Sequence, residues 1–244
     1  MRTLLIITIL LVICSANAFD DPLFQKAQEI TLQNWNWVPS TTIKQDEIKN
    51  RKGKLDATTE VWINHSLTED GSIKSEFEKV LIDNQPATER QQKNFEDALK
   101  MDLIPTKKPL IDPDDIISIE RIDKKRPYED SYLVGFSFVT KYITDDEKEG
   151  EKIGTLWIDE HSGAPLLMEF TTDPLPKAVR SMENEVHYHY DRDQNIWYKT
   201  KSVINIEIRV LLMTKYVTST IEFKEPWQYE EAEIGRQSNS IVND

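Results

Sequence analysis

An alternation of apolar and polar residues with a period of two runs through the second half of this 244-residue chain and limits its fold more than any other feature. Side chains two apart in a strand project from the same face, so each alternating run predicts a strand with one apolar face. Most turns between the runs are short, whereas a parallel crossover needs about a dozen residues or more. The sequence therefore predicts an antiparallel meander, with strands over residues 116–122, 131–143, 152–159, 164–171, 185–190, 196–204 and 206–223.

The first half of the chain adds a helix and a hairpin to this sheet. Asp21 before Pro22 is typical of a helix start, and apolar residues at helical spacing predict a helix over residues 22–34. Two alternating runs, residues 60–67 and 73–82, are separated by a turn that contains Asp-Gly. This arrangement predicts a β-hairpin.

A second helix and a polar stretch complete the predicted architecture. Thr88 and Gln91 have the spacing of a capping box for a helix that buries Phe95. Residues 44–54 are basic and polar, and we interpret them as a loop or a weak edge strand. One face of the predicted sheet is broadly apolar and needs a cover. The sequence therefore predicts a mainly β (α+β) fold, a curved antiparallel sheet or half-open β-barrel with two or three short helices that cap its concave face.

The first 18 residues have the pattern of a cleaved export signal. Arg2 precedes an apolar run over residues 4–13, and Ala16 and Ala18 occupy the small-residue positions of a cleavage site. Such a run spans about 15 Å as a helix, roughly half of the hydrocarbon core of a bilayer. We therefore expect cleavage after Ala18, a periplasmic or secreted protein, and no transmembrane segment in the mature chain.

The only cysteine, Cys14, lies inside the predicted signal, so the mature chain contains no disulfide. A lipid anchor on Cys14 is a minority alternative, because the residue before it, Ile13, is bulky. We expect one curved-sheet domain over residues 19–227, followed by a polar tail over residues 228–244.

The charge and the motifs exclude several classes of function. The chain has 43 acidic and 30 basic residues, a net charge of −13, which disfavours nucleic acid because phosphates need basic partners. It contains neither a Gly-x-Ser-x-Gly nucleophile motif nor a glycine-rich phosphate loop. We therefore expect no enzymatic activity and no cofactor.

One hairpin resembles a known family. A strand that ends in Trp157-Ile158-Asp159, a turn that ends in Gly163 and a strand that opens with Pro165 resemble the bacterial outer-membrane lipoprotein-sorting superfamily. The resemblance implies a half-open antiparallel β-barrel with helices as a lid, a periplasmic location and an apolar cavity able to take acyl chains. It assigns no functional residue to a position in this sequence.

The apolar strand face supplies the candidate site. We expect a cavity that holds a ligand by dispersion and desolvation, in a non-enzymatic protein that binds a lipid, an acyl chain or a lipidated partner. The alternative is a structural protein with a filled core that interacts with an envelope protein. The candidate lining residues are Phe136, Phe138, Leu166, Met168, Phe170, Ile208, Val210 and Leu212.

A second alternative is a metal-dependent enzyme. His187 and His189 are two apart in a predicted strand, so both rings project from one face together with the carboxylates of Glu185 and Asp191. This set resembles a zinc site, but the pattern does not supply a fixed third ligand uniquely. An ordinary solvated strand face is the competing interpretation.

Overall fold

The computed structural model describes residues 18–98, 105–129, 131–143, 149–210 and 213–230. Eleven strands form one antiparallel sheet in the order β4-β3-β2-β1-β11-β10-β9-β8-β7-β6-β5. The sheet is curved and does not close into a barrel, which confirms the predicted fold class. The elements are α1 (Pro22–Gln33), β1 (Trp37–Asn50), β2 (Leu55–Leu67), β3 (Ile73–Ile82), β4 (Gln85–Pro86), α2 (Glu89–Ala98), β5 (Ile116–Tyr128), β6 (Ser131–Ile143), β7 (Glu149–Asp159), β8 (Pro165–Asp173), β9 (Val179–Asp191), β10 (Ile196–Val210) and β11 (Met213–Gln228), with short 3₁₀ helices at Ala18–Asp20 and Pro113–Asp115.

Strand β1 differs from the prediction. It lies between β2 and β11 near the middle of the sheet and pairs with β11 from Trp37–Gln228 to Asn50–Lys215. The interpretation of residues 44–54 as a loop or weak edge strand is therefore wrong for the part that β1 includes. The predicted strand over residues 206–223 contributes to both β10 and β11.

Helix α1 covers one half of the concave face. The Asp21 carboxylate accepts a hydrogen bond from the backbone N–H of Leu23 at 2.8 Å, so it caps the helix, and Pro22 occupies the first turn. Phe24 is 0% exposed and its ring centroid lies 5.6 Å from that of Phe136 in β6. The buried side of α1 and the apolar side chains of β5–β10 form the main core.

Helix α2 covers part of the other half. The predicted capping box is present, because the N–H of Thr88 donates to the Gln91 side chain at 2.9 Å. Phe95 packs on a second apolar cluster that consists of Val61, Ile63 and Val80. None of the helices that the structure describes is long and apolar enough to cross a bilayer.

Candidate functional site

A row of apolar side chains on the concave face belongs to neither of the clusters under the helices. Met182 in β9 lies opposite Ile206 in β10, which lies opposite Val217 in β11, and Val217 lies opposite Ile48 in β1. All four residues are only partly buried. We call this row the concave track. Ile204, two residues from Ile206, is also partly buried and widens it.

A cavity lies farther across the same face, over β6–β8. Its volume is about 990 Å³, close to the upper end of the range for small-molecule sites. Phe138 and Met168 contribute to its floor, and Leu110 and Ile111 of the connecting segment contribute to its wall. A hydrogen bond joins that wall to α1: the Gln28 side-chain amide donates to the carbonyl of Ile111 at 2.6 Å.

The floor of the cavity contains a lysine in an apolar setting. Lys152 in β7 lies between Thr140 in β6 and Thr172 in β8 in the strand register. Its ammonium lies 5.0 Å from the ring centroid of Phe170. Burial lowers the pKa of Lys152, and the negative charge of Asp115 offsets this only in part.

Two hydroxyl groups on this face are buried without a hydrogen-bond partner among the described residues. They belong to Thr172, which is 9% exposed, and Ser219, which is 7% exposed. Thr172 lies beside Lys152 in the register, and Ser219 lies two residues from Val217 of the concave track. An unsatisfied buried hydroxyl destabilises the free protein, so both positions favour a bound polar group.

A second lysine with its ammonium over an aromatic ring lies outside the cavity. The ammonium of Lys199 in β10 lies 4.6 Å from the ring centroid of Phe223, and burial lowers its pKa. Lys199 therefore resembles Lys152 in its surroundings without lining the cavity.

The structure distributes the predicted lining residues over three settings. Phe136 is completely buried under α1, so it fills the core and lines no open space. Phe138 and Met168 line the cavity, while Leu166 and Phe170 are partly buried against the core cluster. Ile208 is partly buried in β10, two residues from Ile206. Two predicted lining residues lie outside the described part of the chain, namely Leu212 and the side chain of Val210. The same holds for residues 1–17, which include Cys14, and for residues 231–244 of the predicted tail.

Sequence reasoning missed Lys152, Thr172 and most of the concave track. Met182 falls in what the sequence suggests is a link, and Ile48 in what it suggests is a loop. Met182 and Ile48 both alternate with polar neighbours, and this alternation could have indicated that each lies in a strand. Val217 is in a predicted strand, but the sequence around it does not indicate that neither helix covers it.

The two candidate metal ligands lie on the convex face. His187 pairs with the carboxylate of Glu185 at 2.5 Å, and the ring of His189 packs against Tyr198 at a centroid distance of 5.3 Å. Across the residues that the structure describes, no group of three His, Cys, Asp or Glu side chains is arranged to hold a metal ion. The metal-enzyme alternative therefore gains no third ligand from the structure.

Asp159 brings a serine and a histidine together in a smaller cavity of about 310 Å³. The hydroxyl of Ser131 donates to Asp159, while the nearest ring nitrogen of His161 is 3.4 Å from that hydroxyl. Ser162 and Arg192 also donate to Asp159. Since the carboxylate binds the serine instead of the imidazole, this is not the serine–histidine–aspartate chain of a hydrolase.

These bonds determine the charge state of Asp159. Burial alone would raise the pKa of this carboxyl, but hydrogen bonds from Ser131 and Ser162 and the guanidinium of Arg192 hold it well below its usual range. Asp159 therefore stays ionised and ties the β7–β8 turn to its neighbours.

No protein-family model matches the sequence, and no curated protein matches it. Among solved structures, the chain is similar to a DUF1329 family protein from Desulfovibrio piger, with 9% identity over 83% of this chain and 92% of that chain and a TM-score of 0.31. It is also similar to a chain of the MucA/MucB complex of Pseudomonas aeruginosa, with 10% identity over 86% of this chain and 98% of that chain and a TM-score of 0.24. At these scores neither protein supplies a residue role or an activity for this chain.

Proposed function

We propose that this protein is an exported, non-enzymatic binding protein whose concave face holds the acyl chain of a lipid. The observation that carries the proposal is the concave track, a continuous apolar row across four strands that both helices leave partly exposed. Contiguous exposed apolar surface on a soluble protein marks a binding site more often than it marks chance. The signal-like residues 1–18 and the family resemblance of the hairpin at 154–170 support export and an apolar cargo.

The energetics indicate the length of chain that such a site needs. Each buried methylene contributes about 0.8 kcal/mol. Micromolar affinity requires about 8 kcal/mol, and association costs at least about 4 kcal/mol more. Roughly 15 buried methylenes meet both requirements, so the proposed cargo is a chain of about 14 to 18 carbons. Covering the track by such a chain removes apolar surface from water, whereas a short polar metabolite would not.

Native purification followed by lipid extraction and mass spectrometry tests the proposal first. The second measurement is uptake of a fluorescent C16 fatty acid by the full chain. Recovery of acyl lipid and saturable uptake are the expected results. Failure to recover any lipid together with no uptake would overturn the proposal, and a protein that co-purifies instead would favour the alternative of a filled-core envelope-interaction protein.

A matched pair of variants locates the binding. Ile206→Gln places a polar amide in the middle of the concave track, and we expect it to weaken uptake by about tenfold because about 1–2 kcal/mol of apolar contact is lost. The control is Asn205→Gln, which changes the exposed neighbour on the opposite face of the same strand. Equal uptake by the two variants would show that the chain binds elsewhere.

A further inference from the structure

The Lys152 ammonium is a cation placed over apolar groups. It lies 5.0 Å from the ring centroid of Phe170, and among the described residues no carboxylate forms an ion pair with it. Gly154 makes room for this arrangement, because a Cβ atom there would come within 2.6 Å of the Phe170 Cβ and 2.9 Å of the Phe138 ring. Asp115 attracts this charge only from a distance, so a partly desolvated cation without a direct ion pair gains stability when an anion binds to it.

Thr172, the register neighbour of Lys152 in the next strand, supplies an independent indication of a polar ligand atom. Its hydroxyl is buried and lacks a partner within the described part of the chain, and it is the direct register neighbour of Lys152. A hydroxyl donor beside an ammonium is a pair that suits one anionic oxygen group. The two observations differ in kind, since one concerns a charge and the other an unsatisfied hydrogen bond.

The cavity rim restricts the charge of that group. The residues that line the cavity include five acidic ones, Asp112, Asp115, Glu149, Glu151 and Asp173. The opposing cations in the lining are Lys108, Lys141 and Lys152, and Lys108 already pairs with Asp112 at 3.3 Å. Repulsion by this rim grows with the charge of the ligand, so a monoanionic carboxylate is favoured over a phosphate dianion.

The position of Lys152 also agrees with the concave track. The β8–β9 pairing ends at Phe170–Asn184, and Thr172 and Met182, the first residue of the track, each lie two residues past that pair on the same face of the sheet. From β7 to β11 there are four strand spacings of about 4.8 Å, roughly 19 Å in all. A single acyl chain in one leaflet of a bilayer covers about 15 Å, so one chain that starts at Lys152 crosses about three strand spacings and reaches Ile206 in β10, the middle of the track.

We propose that the cargo is a fatty acid whose carboxylate binds the Lys152 ammonium and the Thr172 hydroxyl while its chain lies along the concave track. This inference rests on the proposed function and adds the chemistry of the head group. A neutral acyl chain, such as that of a lipidated protein, would leave both polar groups unsatisfied.

The test compares three C16 probes below their aggregation concentrations on the full chain by calorimetric titration. The probes are palmitate, hexadecanol and hexadecyl phosphate. We expect palmitate to bind about 10- to 100-fold more tightly than hexadecanol, as a hydrogen-bonded charge contact adds that much affinity. We expect hexadecyl phosphate to bind less tightly than palmitate.

Two variants assign the head-group contact. Lys152→Met keeps the length of the side chain and removes the charge, so palmitate should lose its advantage while hexadecanol binds within about twofold of its original affinity. Lys199→Met is the matched control, because it removes the other lysine whose ammonium lies over an aromatic ring of this face and should leave the ratio unchanged. Thr172→Val, which keeps the shape of the side chain, should weaken palmitate about three- to tenfold.

The outcomes separate the two proposals. Equal binding of palmitate and hexadecanol to the unmodified protein overturns the carboxylate assignment and leaves acyl binding intact. Tighter binding of hexadecyl phosphate than of palmitate overturns the choice of a monoanion. Absence of binding by all three probes overturns both proposals, and a ratio that survives Lys152→Met moves the head group away from this lysine. The comparison of probes needs no variant, so it holds even where a substitution prevents folding.

Discussion

Helix α1 is predicted to be a permanent part of the core, and Phe24→Ala tests this. The Phe24 side chain is 0% exposed, and its ring contacts both Phe136 at 5.6 Å and Phe19 at 6.3 Å. Truncation of a fully buried phenylalanine costs about 3–5 kcal/mol through lost transfer energy and the cavity that remains. Because Phe24 docks α1 on the sheet, we expect a value within this range.

The assay is urea unfolding followed by tryptophan fluorescence, with thermal unfolding as a second measure. A cost of 3–5 kcal/mol corresponds to a fall of roughly 6–20 °C in Tm for a chain of this size. Leu32→Ala on the same helix is the matched control. Leu32 is 39% exposed and alanine is at least as good a helix former, so we expect a change below about 0.5 kcal/mol.

A double-mutant cycle with Phe136→Ala sharpens the test. Since the two rings contact each other, the double variant should be less destabilised than the sum of the single variants by about 0.5–1.5 kcal/mol. A cost below 1 kcal/mol for Phe24→Ala, or strict additivity in the cycle, would refute the reasoning. The first result would make α1 a displaceable lid instead of a core element, and the space beneath it would then count toward the binding site. The second result would mean that Phe24 stabilises the protein through contacts other than the one with Phe136.

Two further predictions concern charged groups and their pH dependence. Asp159→Asn should destabilise the protein by about 2 kcal/mol at pH 7, since an amide cannot accept all the bonds that the carboxylate accepts. Because folding lowers the pKa of Asp159, its contribution to the free energy of unfolding is complete above the usual pKa of 3.8 and is lost as the pH falls below that value. The free energies of unfolding of wild type and Asp159→Asn, measured by urea titration, should therefore converge toward about pH 2. A difference between them that stays constant with pH would contradict this. Lys152→Met should raise the Tm of the ligand-free protein at pH 7. The Lys152 pKa is lowered by burial, so its cost is present below that lowered pKa and disappears as pH rises toward 10.5; a Tm difference that does not shrink at high pH would contradict the assignment.

The sheet could be predicted because its signals are local. The strand that contains Phe136 and the hairpin at Gly163 carry both the alternation and the turn residues that define antiparallel neighbours. The position of β1 could not be predicted, because its partner β11 lies at the other end of the chain. Lys44 and Asp46 on its concave side pair with each other at 2.9 Å, so a central strand there does not need an apolar sequence.

The candidate site could be predicted in part, because the apolar–polar alternation that defines its strands is local in sequence. Alternation put Phe138 and Met168 on one apolar face, and in the structure both are among the residues that line the cavity. It could not show that α1 fills the space over Phe136, since that depends on how a helix docks across several strands. Lys152 lies in a charged stretch of sequence, which predicts a solvated side chain. In the structure it is partly buried in the cavity lining, and burial lowers its pKa.

Two unfavourable features of the free protein lie next to each other on the concave face, and this adjacency is the strongest argument for an amphiphile. Partly exposed apolar residues such as Ile206 favour an oily ligand, whereas the unsatisfied hydroxyl of Thr172 and the unpaired charge of Lys152 favour an anionic one. A water molecule would satisfy Thr172 but would leave the apolar row exposed. A neutral acyl chain would cover the row but would offer neither Lys152 nor Thr172 an anionic hydrogen-bond acceptor. A long-chain carboxylate resolves both at once, because its two ends match the two kinds of surface in the order in which the strands present them.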